Sequence, residues 1–455
     1  MPCIKGIISA AAGSPALAAL NRFAGFENLF TAGFGLMDSH NRFSAALYLL
    51  LTALLADAGP SKDDDWPWWR GPQRNGHAHP DQKLPAKLDC QRDLLWEAEV
   101  PGRGHGSPII AGERVYLVTA DEKAETQSLL AYDRRTGQSV WKTEIHRGGF
   151  PPKINKKATH ASNSPAFDGE RLYVTFVNGG AAQTTAVSQQ GDKLWTTKIT
   201  DYVVHQGYGA SPQVYKSLLL VSADNKKAGA VCGLDRASGD IVWKVERPKI
   251  ANYVSPIVHH LDGRDQLVLS GCEKVMSLNP MTGKTLWETK GSTQETVSSI
   301  VTDGTRIFVS GGWPKNHVHA VEADGSGKVA WRNISRVYVP SMLVHEGYLY
   351  AVMDGGAAMC WNCKTGERQW KGLLGGTYYS SPVLLGDRIH VISENGEYSE
   401  FKADPAKFER VHRAQIGEQV FATPVVCGGR FYARVAEFVD DVRKEKLLCL
   451  GARSK

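Results

Sequence analysis

The sequence lacks the features that would direct it to nucleic acid, to a bilayer or to covalently bound haem. Its net charge of +6 is spread along 455 residues without a long Lys or Arg run, which excludes the clustered basic face that phosphate binding needs. The apolar run at residues 43–55 is too short to span a bilayer as a mature helix. The Cys360–Cys363 pair is followed by Lys364, whereas haem attachment requires His there.

The N-terminal region predicts export. Residues 37–58 resemble a secretory signal, with Arg42 before the apolar run and an Ala-x-Ala cleavage site at residues 56–58. We expect residues 1–36 to be an upstream extension from a mis-assigned start; the alternatives are a genuine long leader or an uncleaved anchor. The expected location is therefore periplasmic or secreted, where disulfides are permitted. Residues 59–89, rich in Trp and Pro, predict an irregular arm.

Glycine and tryptophan are abundant, at 46 and 12 residues, and they recur in one pattern. A strand, a tight turn and a second strand ending in Trp are predicted at residues 131–141. The same pattern with the same length recurs at residues 233–243, 277–287 and 360–370. The chain is thus a repeat protein, and alternating strands with Gly turns exclude helical repeats.

The repeats predict a closed ring. Each unit opens on Ser-Pro or a near variant and closes on a Trp, and the closing residues are Trp96, Trp141, Trp195, Trp243, Trp287, Trp331 and Trp370. The last unit has only three predicted strands, while one orphan strand containing Trp96 precedes the first unit. Pairing these two removes both bare sheet edges. Residues 90–455 therefore predict an all-β fold, an eight-bladed β-propeller closed by an N-terminal strand that completes the C-terminal blade.

The Ala-x-Asp-x-x-Thr-Gly-x-x-x-Trp pattern resembles the tryptophan-docking motif of the pyrroloquinoline quinone (PQQ)-type β-propellers. This superfamily includes quinoprotein alcohol dehydrogenases, the outer-membrane assembly factor BamB and secreted PQQ-like propellers of planctomycete-type bacteria. The pattern at residues 66–72, 94–96 and 102–108 is most similar to the last group. In the family the docking Trp wedges between neighbouring blades, so the resemblance implies the fold rather than cofactor binding.

The resemblance by itself does not imply that this chain binds PQQ. The family's dehydrogenases hold PQQ between a disulfide of adjacent cysteines and a Trp, with calcium on carboxylate and amide oxygens. No two cysteines are adjacent here, and no calcium ligand or catalytic base can be assigned. We therefore expect no cofactor and no catalytic or metal-binding residues, with PQQ and calcium as the alternative.

The axial mouth is the predicted ligand or partner site. If the first strand of each blade is innermost, the residues just before the Ser-Pro openings surround the axis, and aromatic and His side chains there can stack on a planar ligand or hold a peptide. These residues are His105, His160, Asn163, Tyr208, Tyr253, Tyr338, Tyr378 and Phe421. The alternative interpretation is that they only fill the channel.

Two pairs of residues lead to hypotheses about a disulfide and about a metal site. Cys90 and Cys449 flank the predicted closure, which suggests a disulfide that locks the ring, although sequence cannot supply its geometry. His317 and His319 would share one strand face as half of a metal site, without an evident third ligand.

Three functions remain open on the sequence. The preferred one is an exported, non-catalytic scaffold, similar to BamB, that binds an envelope protein or a small ligand. The second is a PQQ-dependent quinoprotein dehydrogenase. The third is a carbohydrate- or wall-associated protein that uses Trp66, Trp68 and Trp69.

Overall fold

The computed structural model describes residues 65–453, which form 32 β-strands in eight four-stranded antiparallel sheets. No α-helix occurs within this range, and accordingly no described helix could cross a membrane. The predicted all-β, eight-bladed propeller is confirmed. The predicted upstream extension (residues 1–36), the signal (37–58) and the start of the arm (59–64) lie outside the described residues.

Seven blades use four consecutive strands each. Blade 1 has β2 (Ile109–Ala111), β3 (Arg114–Asp121), β4 (Thr126–Asp133) and β5 (Ser139–Arg147). Blade 2 has β6 (Ala166–Phe167), β7 (Arg171–Asn178), β8 (Ala181–Ser188) and β9 (Lys193–Asp201). Blade 3 has β10 (Gln213–Tyr215), β11 (Leu218–Ser222), β12 (Ala230–Asp235) and β13 (Ile241–Glu246). Blade 4 has β14 (Ile257–Leu261), β15 (Arg264–Gly271), β16 (Lys274–Leu278) and β17 (Thr285–Lys290).

The second half of the ring repeats this order. Blade 5 has β18 (Val301–Thr302), β19 (Arg306–Gly311), β20 (His317–Glu322) and β21 (Val329–Asn333). Blade 6 has β22 (Leu343–His345), β23 (Tyr348–Val352), β24 (Ala357–Asn362) and β25 (Arg368–Leu373). Blade 7 has β26 (Val383–Leu385), β27 (Arg388–Ile392), β28 (Glu397–Lys402) and β29 (Arg410–Gln415). Blade 8 has β30 (Val425–Cys427), β31 (Arg430–Val439), β32 (Val442–Gly451) and β1 (Leu94–Val100).

The predicted closure is confirmed by the pairing of β1 with β32. The two strands are antiparallel, with Ala98 opposite Leu447, so the first strand of the chain becomes the outermost strand of the last blade. Within blade 8 a buried ion pair places Arg434 2.5 Å from Glu445, and the Arg434 guanidinium also donates a hydrogen bond to the Val118 carbonyl of blade 1. The outer edge of β32 is thus paired by β1, and blade 8 has four strands like the other blades.

Strand position in the blade explains the burial pattern. The second and third strands pack between neighbouring blades on both faces, and β3 and β4 are accordingly buried at nearly every residue. The outermost strands alternate instead, as β21 does with partly buried and exposed residues. Successive side chains of a strand point to opposite faces, so a strand exposed on one face alternates between buried and exposed residues, as the sequence predicts.

The repeated turn has a packing reason for its glycine. In blade 1 the Asp133 carboxylate accepts hydrogen bonds from the Arg135 and Thr136 amides, which closes the turn. Gly137 then adopts a φ of +73°, and a Cβ there would lie 2.5 Å from the Trp96 ring. The Trp96 indole nitrogen donates to the Arg134 carbonyl at 3.0 Å. Gly239, Gly283 and Gly366 meet the Trp of the preceding blade at the same 2.5 Å, so at these turns only glycine leaves room for the ring.

Other closing Trp residues make the same kind of contact with the next blade. The indole nitrogens of Trp141, Trp243, Trp331 and Trp370 donate to backbone carbonyls of the following blade at 2.7 to 3.1 Å. Trp287 differs, since it donates to Gln266 within its own blade at 2.8 Å.

The expected disulfide between Cys90 and Cys449 is not formed, because both residues are free cysteines. Cys449 is fully buried in β32, opposite Trp96. Cys90 is only partly buried in the turn six residues before Trp96. The seam thus places Trp96, rather than Cys90, beside Cys449.

The two faces of the ring carry different connections. Because the strands of a blade alternate in direction, the loops between blades and the turns between second and third strands lie on one face, here called the upper face. The turns between first and second strands, and the Gly turns described above, lie on the lower face.

Candidate functional site

A series of hydrogen bonds surrounds the channel axis and links seven of the eight pairs of neighbouring blades in the described structure. At the start of the innermost strand a backbone amide donates to the side-chain oxygen of the corresponding residue in the next blade, at 2.9 to 3.1 Å. Seven such bonds are present, and their donor–acceptor steps are Ser107–Ser164, Ser164–Ser211, Ser211–Ser255, Ser299–Ser341, Ser341–Ser381, Ser381–Thr423 and Thr423–Ser107. We call these eight residues the hydroxyl belt. It gives the Ser of the Ser-Pro openings a structural role.

The N-terminal arm, residues 65–88, crosses the lower ends of the innermost strands. Trp66 exchanges two backbone hydrogen bonds with Ile110 of blade 1, at 2.8 and 2.9 Å. Arg74 donates to the Val214 carbonyl of blade 3, and the Gly76 and Ala78 backbones bond to Leu384 of blade 7. The arm therefore contacts blades on opposite sides of the axis and covers the lower end of the channel.

Arg70 holds the arm in place without a carboxylate partner. Its guanidinium donates to the carbonyls of Pro382, Met342 and Asn75 at 2.6 to 3.0 Å. The side chain is 1% exposed, and this burial lowers the Arg70 pKa to about 9. The group stays cationic at neutral pH, so these carbonyl dipoles stabilise its charge.

The three tryptophans of the arm have different surroundings. Trp66 is 3% exposed and belongs to the core between blades 8 and 1. Trp68 is partly buried under the Arg74 guanidinium, 4.2 Å from its ring centre. Trp69 alone of the three lines the channel, and its indole nitrogen donates to Ser299 of the hydroxyl belt at 2.8 Å. The arm thus supplies an aromatic floor.

Above Trp69 lies a cavity of about 430 Å³ that is open toward the upper face. We call it the axial cavity. It is lined by five of the eight residues predicted for the axial mouth, namely His105, Tyr208, Tyr253, Tyr338 and Phe421. Its volume is within the range of small-molecule sites.

The other three predicted residues lie elsewhere. His160 stacks on Phe150 at 4.1 Å, and Asn163 donates to the Thr175 carbonyl inside blade 2. Tyr378 is fully buried in the apolar core between blades 6 and 7. The loop after β5 has 18 residues before β6 begins, so a fixed distance from the Ser-Pro motif does not place a side chain on the axis.

Four further lining residues, which the sequence did not single out, come from loops of the upper face. They are Asn155, Lys157, Gln206 and Tyr379. The Lys157 ammonium lies 2.7 Å from the Glu394 carboxylate of blade 7, although its loop belongs to blades 1 and 2. This loop therefore spans part of the mouth. The contact joins residues 237 positions apart, and no local pattern predicts it.

The cavity wall is almost free of charge. Burial, followed by the charges of Arg103 and two other arginines, holds the His105 pKa well below its usual range, so its imidazole is neutral at pH 7. Burial, with the nearby Glu295 carboxylate, raises the pKa of Tyr253 and Tyr338, which stay protonated. Lys157 is neutralised by its ion pair. The wall offers aromatic faces, hydroxyls and amides.

Two buried polar atoms of this wall have no hydrogen-bond partner among the described residues. They are the Tyr253 hydroxyl and His105 Nε2. His105 stacks against Phe421 with ring centres 4.1 Å apart, which fixes its orientation. Both atoms have almost no accessible surface, so they lie behind the cavity wall and not on its surface.

The lining does not fit calcium-bound PQQ. Calcium prefers several carboxylate oxygens, yet no Asp, Glu or Cys is among the lining residues of the axial cavity. Within residues 65–453 no cluster of three His, Cys, Asp or Glu side chains could hold a metal ion.

The predicted half metal site is a buried packing pair. His317 and His319 are 6% and 0% exposed, and their Nδ1 atoms lie 3.0 Å apart in a mutual hydrogen bond. His317 Nε2 also accepts the Thr293 amide at 3.2 Å. These contacts occupy both His317 ring nitrogens.

Comparison with known proteins places the chain in one superfamily with two kinds of members. A polyvinylalcohol dehydrogenase of Pseudomonas sp is 24% identical over 198 residues, 40% of this chain, and the match spans 29% of the dehydrogenase. The outer membrane protein assembly factor BamB of Bordetella pertussis is 22% identical over 312 residues, 65% of this chain and 72% of that protein. The solved structure of a europium-containing methanol dehydrogenase superposes with a TM-score of 0.62 at 12% identity, covering 86% of this chain and 99% of that one.

The family model described as outer membrane protein assembly factor BamB matches residues 90–141, 125–312 and 314–419. These segments cover most of the ring, including the innermost strands of blades 1 to 7. The chain therefore belongs to the family of the outer membrane protein assembly factor BamB and is a PQQ-like β-propeller.

Proposed function

We propose that this protein is a non-catalytic scaffold of the cell envelope whose upper face binds a partner protein. The observation that carries this proposal is the distribution of exposed apolar side chains. Within residues 65–453, seven of the eleven large exposed apolar side chains are on the upper face, in loops or at strand ends: Val203, Trp313, Ile334, Leu373, Phe438, Val439 and Val442. Exposed apolar groups concentrated on one face are typical of protein contact surfaces.

One hairpin also projects from the upper face of the ring. β31 and β32 have ten residues each, longer than the strands of other blades, and their hairpin carries Phe438, Val439 and Val442 at its end. Ile334 and Trp313 are 87% and 56% exposed on neighbouring loops of blade 5. An aromatic residue surrounded by aliphatic ones is a frequent anchor in protein interfaces.

The envelope location is supported by the family and by the signal predicted at residues 37–58. The name of the matched family refers to assembly of outer membrane proteins, which is a process carried out by interacting proteins. A dehydrogenase remains the competing function, because a polyvinylalcohol dehydrogenase and a methanol dehydrogenase are also similar to this chain. The uncharged lining of the axial cavity favours the scaffold.

The test is co-purification from detergent-solubilised native envelope, with three forms of the protein as bait. The upper-face variant combines Trp313→Ser, Ile334→Ser and Phe438→Ser. The matched control combines Val140→Ser, Leu194→Ser and Val242→Ser, which are 42%, 48% and 55% exposed on outermost strands. We expect a stoichiometric partner with wild type and control, and its loss with the upper-face variant.

Two results would overturn the scaffold function. One is retention of every stoichiometric partner by the upper-face variant. The other is a stoichiometric quinone chromophore with dye-linked alcohol turnover after reconstitution with PQQ and calcium.

A further inference from the structure

The hydroxyl belt presents a ring of free hydrogen-bond donors to the axial cavity. Seven of the eight belt oxygens accept a backbone amide, and the eighth, that of Ser299, accepts the Trp69 indole N–H. A hydroxyl that accepts one bond still has its own proton to donate. Six belt residues line the cavity: Ser107, Ser164, Ser211, Ser255, Ser381 and Thr423. Within residues 65–453 their oxygens act only as acceptors. The cavity therefore offers O–H donors to a ligand that is rich in oxygen acceptors.

Aromatic rings supply the other half of the wall. Trp69 forms the floor, and Tyr208, Tyr253, Tyr338 and Phe421 stand around it. Aromatic faces pack well against the C–H faces of a flat, weakly polar ring, while the polar edge of that ring remains free to hydrogen-bond. Alternating aromatic faces and hydroxyls suit a molecule that has both surfaces in one ring.

The charge of the cavity wall further restricts the chemical class of the ligand. The lining has one cationic side chain, Lys157, and Glu394 neutralises it at 2.7 Å. An anionic ligand would have to leave water without a free counter-charge, which is costly in a partly enclosed site. The neutral His105 imidazole and the protonated Tyr253 and Tyr338 side chains add no charge to the wall.

We propose that the axial cavity binds an uncharged saccharide of one or two rings, stacked on Trp69 and hydrogen-bonded to the belt. A saccharide ring has apolar C–H faces and an equator of hydroxyls, which matches the aromatic floor and the surrounding donors. The proposal deepens the scaffold function and rests on it for location in the envelope, but it uses a different surface from the partner face.

The experiment measures saccharide binding by the full chain, with calorimetry and saturation-transfer NMR. The probes are cellobiose, maltose and N,N′-diacetylchitobiose, with digalacturonate as the charged counterpart. We expect at least one neutral disaccharide to bind with its ring protons in contact, and digalacturonate to bind at least about tenfold more weakly because the wall lacks a free cation.

Three variants test the assigned contacts. Trp69→Ala should abolish binding. Ser255→Ala should weaken it several-fold in protein that remains folded, because the change removes one hydroxyl donor of the belt from the cavity wall. Trp313→Ala is the matched control, an exposed aromatic outside the cavity, and should bind normally.

The inference is overturned if none of the neutral disaccharides binds, if digalacturonate binds equally well, or if folded Ser255→Ala binds as the wild type does. Trp69→Ala should still capture the protein partner described above. A failure of saccharide binding with partner capture intact would therefore remove the cavity inference alone. Loss of capture only in the upper-face variant would leave the scaffold standing.

Discussion

The Ser107 hydroxyl accepts a hydrogen bond from the Thr423 amide at 3.0 Å, across 316 residues of sequence. The bond joins the innermost strand of the last blade to that of the first and completes the hydroxyl belt at the seam. Both residues are buried, at 4% and 6% exposure. Closure is thus secured on the axis as well as at the outer strand.

Ser107→Ala should destabilise the ring at this seam. The Thr423 amide would be left buried without an acceptor, which costs about 1–3 kcal/mol. Urea unfolding measures the change, with Ser139→Ala as the control because Ser139 is exposed on β5. Equal stability of the two variants would contradict the role given to the belt.

Gly137→Ala should be more damaging than the same change at another glycine of similar backbone. Gly137 and Gly347 have φ angles of +73° and +81°, so both substitutions strain the backbone. Only at Gly137 would the new Cβ meet a ring, 2.5 Å from Trp96, whereas nothing lies within 4 Å at Gly347. We expect an extra loss of about 2 kcal/mol at Gly137, measured by denaturant unfolding. Equal losses would show that backbone strain alone explains the glycine.

The blade count and the closure could be predicted because they depend on local signals. A turn pattern with Gly and Trp at fixed spacing marks four blades and gives the length of the repeat, and one strand at the start with three at the end determines how the ring closes. The axial cavity was predicted only in part. Tyr253 and Phe421 follow the repeat, but the long loop before β6 takes His160 away from the axis.

The contacts of the N-terminal arm and of the loop that carries Lys157 could not be predicted, for a different physical reason. Trp69 reaches Ser299 over 230 residues, and Lys157 reaches Glu394 over 237. Neither contact has a periodic signal, because each is made once in the chain by an irregular segment. The disulfide hypothesis failed on the same ground: proximity to the seam in sequence did not give Cys90 and Cys449 the geometry of a bridge.

Acid should destabilise the protein through His317 and His319. Burial lowers their pKa from 6.5 to about 4 and about 3 respectively. The unfolded chain therefore takes up protons first, and the stability present above pH 6.5 is lost as the pH falls toward these values. Their Nδ1–Nδ1 hydrogen bond needs one neutral acceptor, which protonation removes.

His319→Gln should flatten this acid dependence. Between pH 7.5 and 4.5 the variant should lose about 2 kcal/mol less unfolding free energy than the wild type, because one depressed titration is removed. His260→Gln is the control, since that side chain is 70% exposed. Parallel stability curves for wild type and His319→Gln would refute the assignment.

Arg70→Ala should release the arm before the ring unfolds. The carbonyls of Pro382, Met342 and Asn75 would lose their donor, at a cost of about 3 kcal/mol. Limited proteolysis should then cleave within residues 65–88 faster than in the wild type. Arg135→Ala, a change at an exposed turn residue, should leave the cleavage rate unchanged. An arm as resistant as in the wild type would show that Arg70 is dispensable.

The pairing of β1 with β32 also dictates an order of events during synthesis. β1 (Leu94–Val100) is translated first among the strands, yet its partner, β32 (Val442–Gly451), is translated last. A nascent chain can complete seven sheets while this first strand still waits with an open edge, which is prone to mispairing. β1, which closes the finished ring, is thus the strand most in need of protection from mispairing until the last residues of the chain are synthesised.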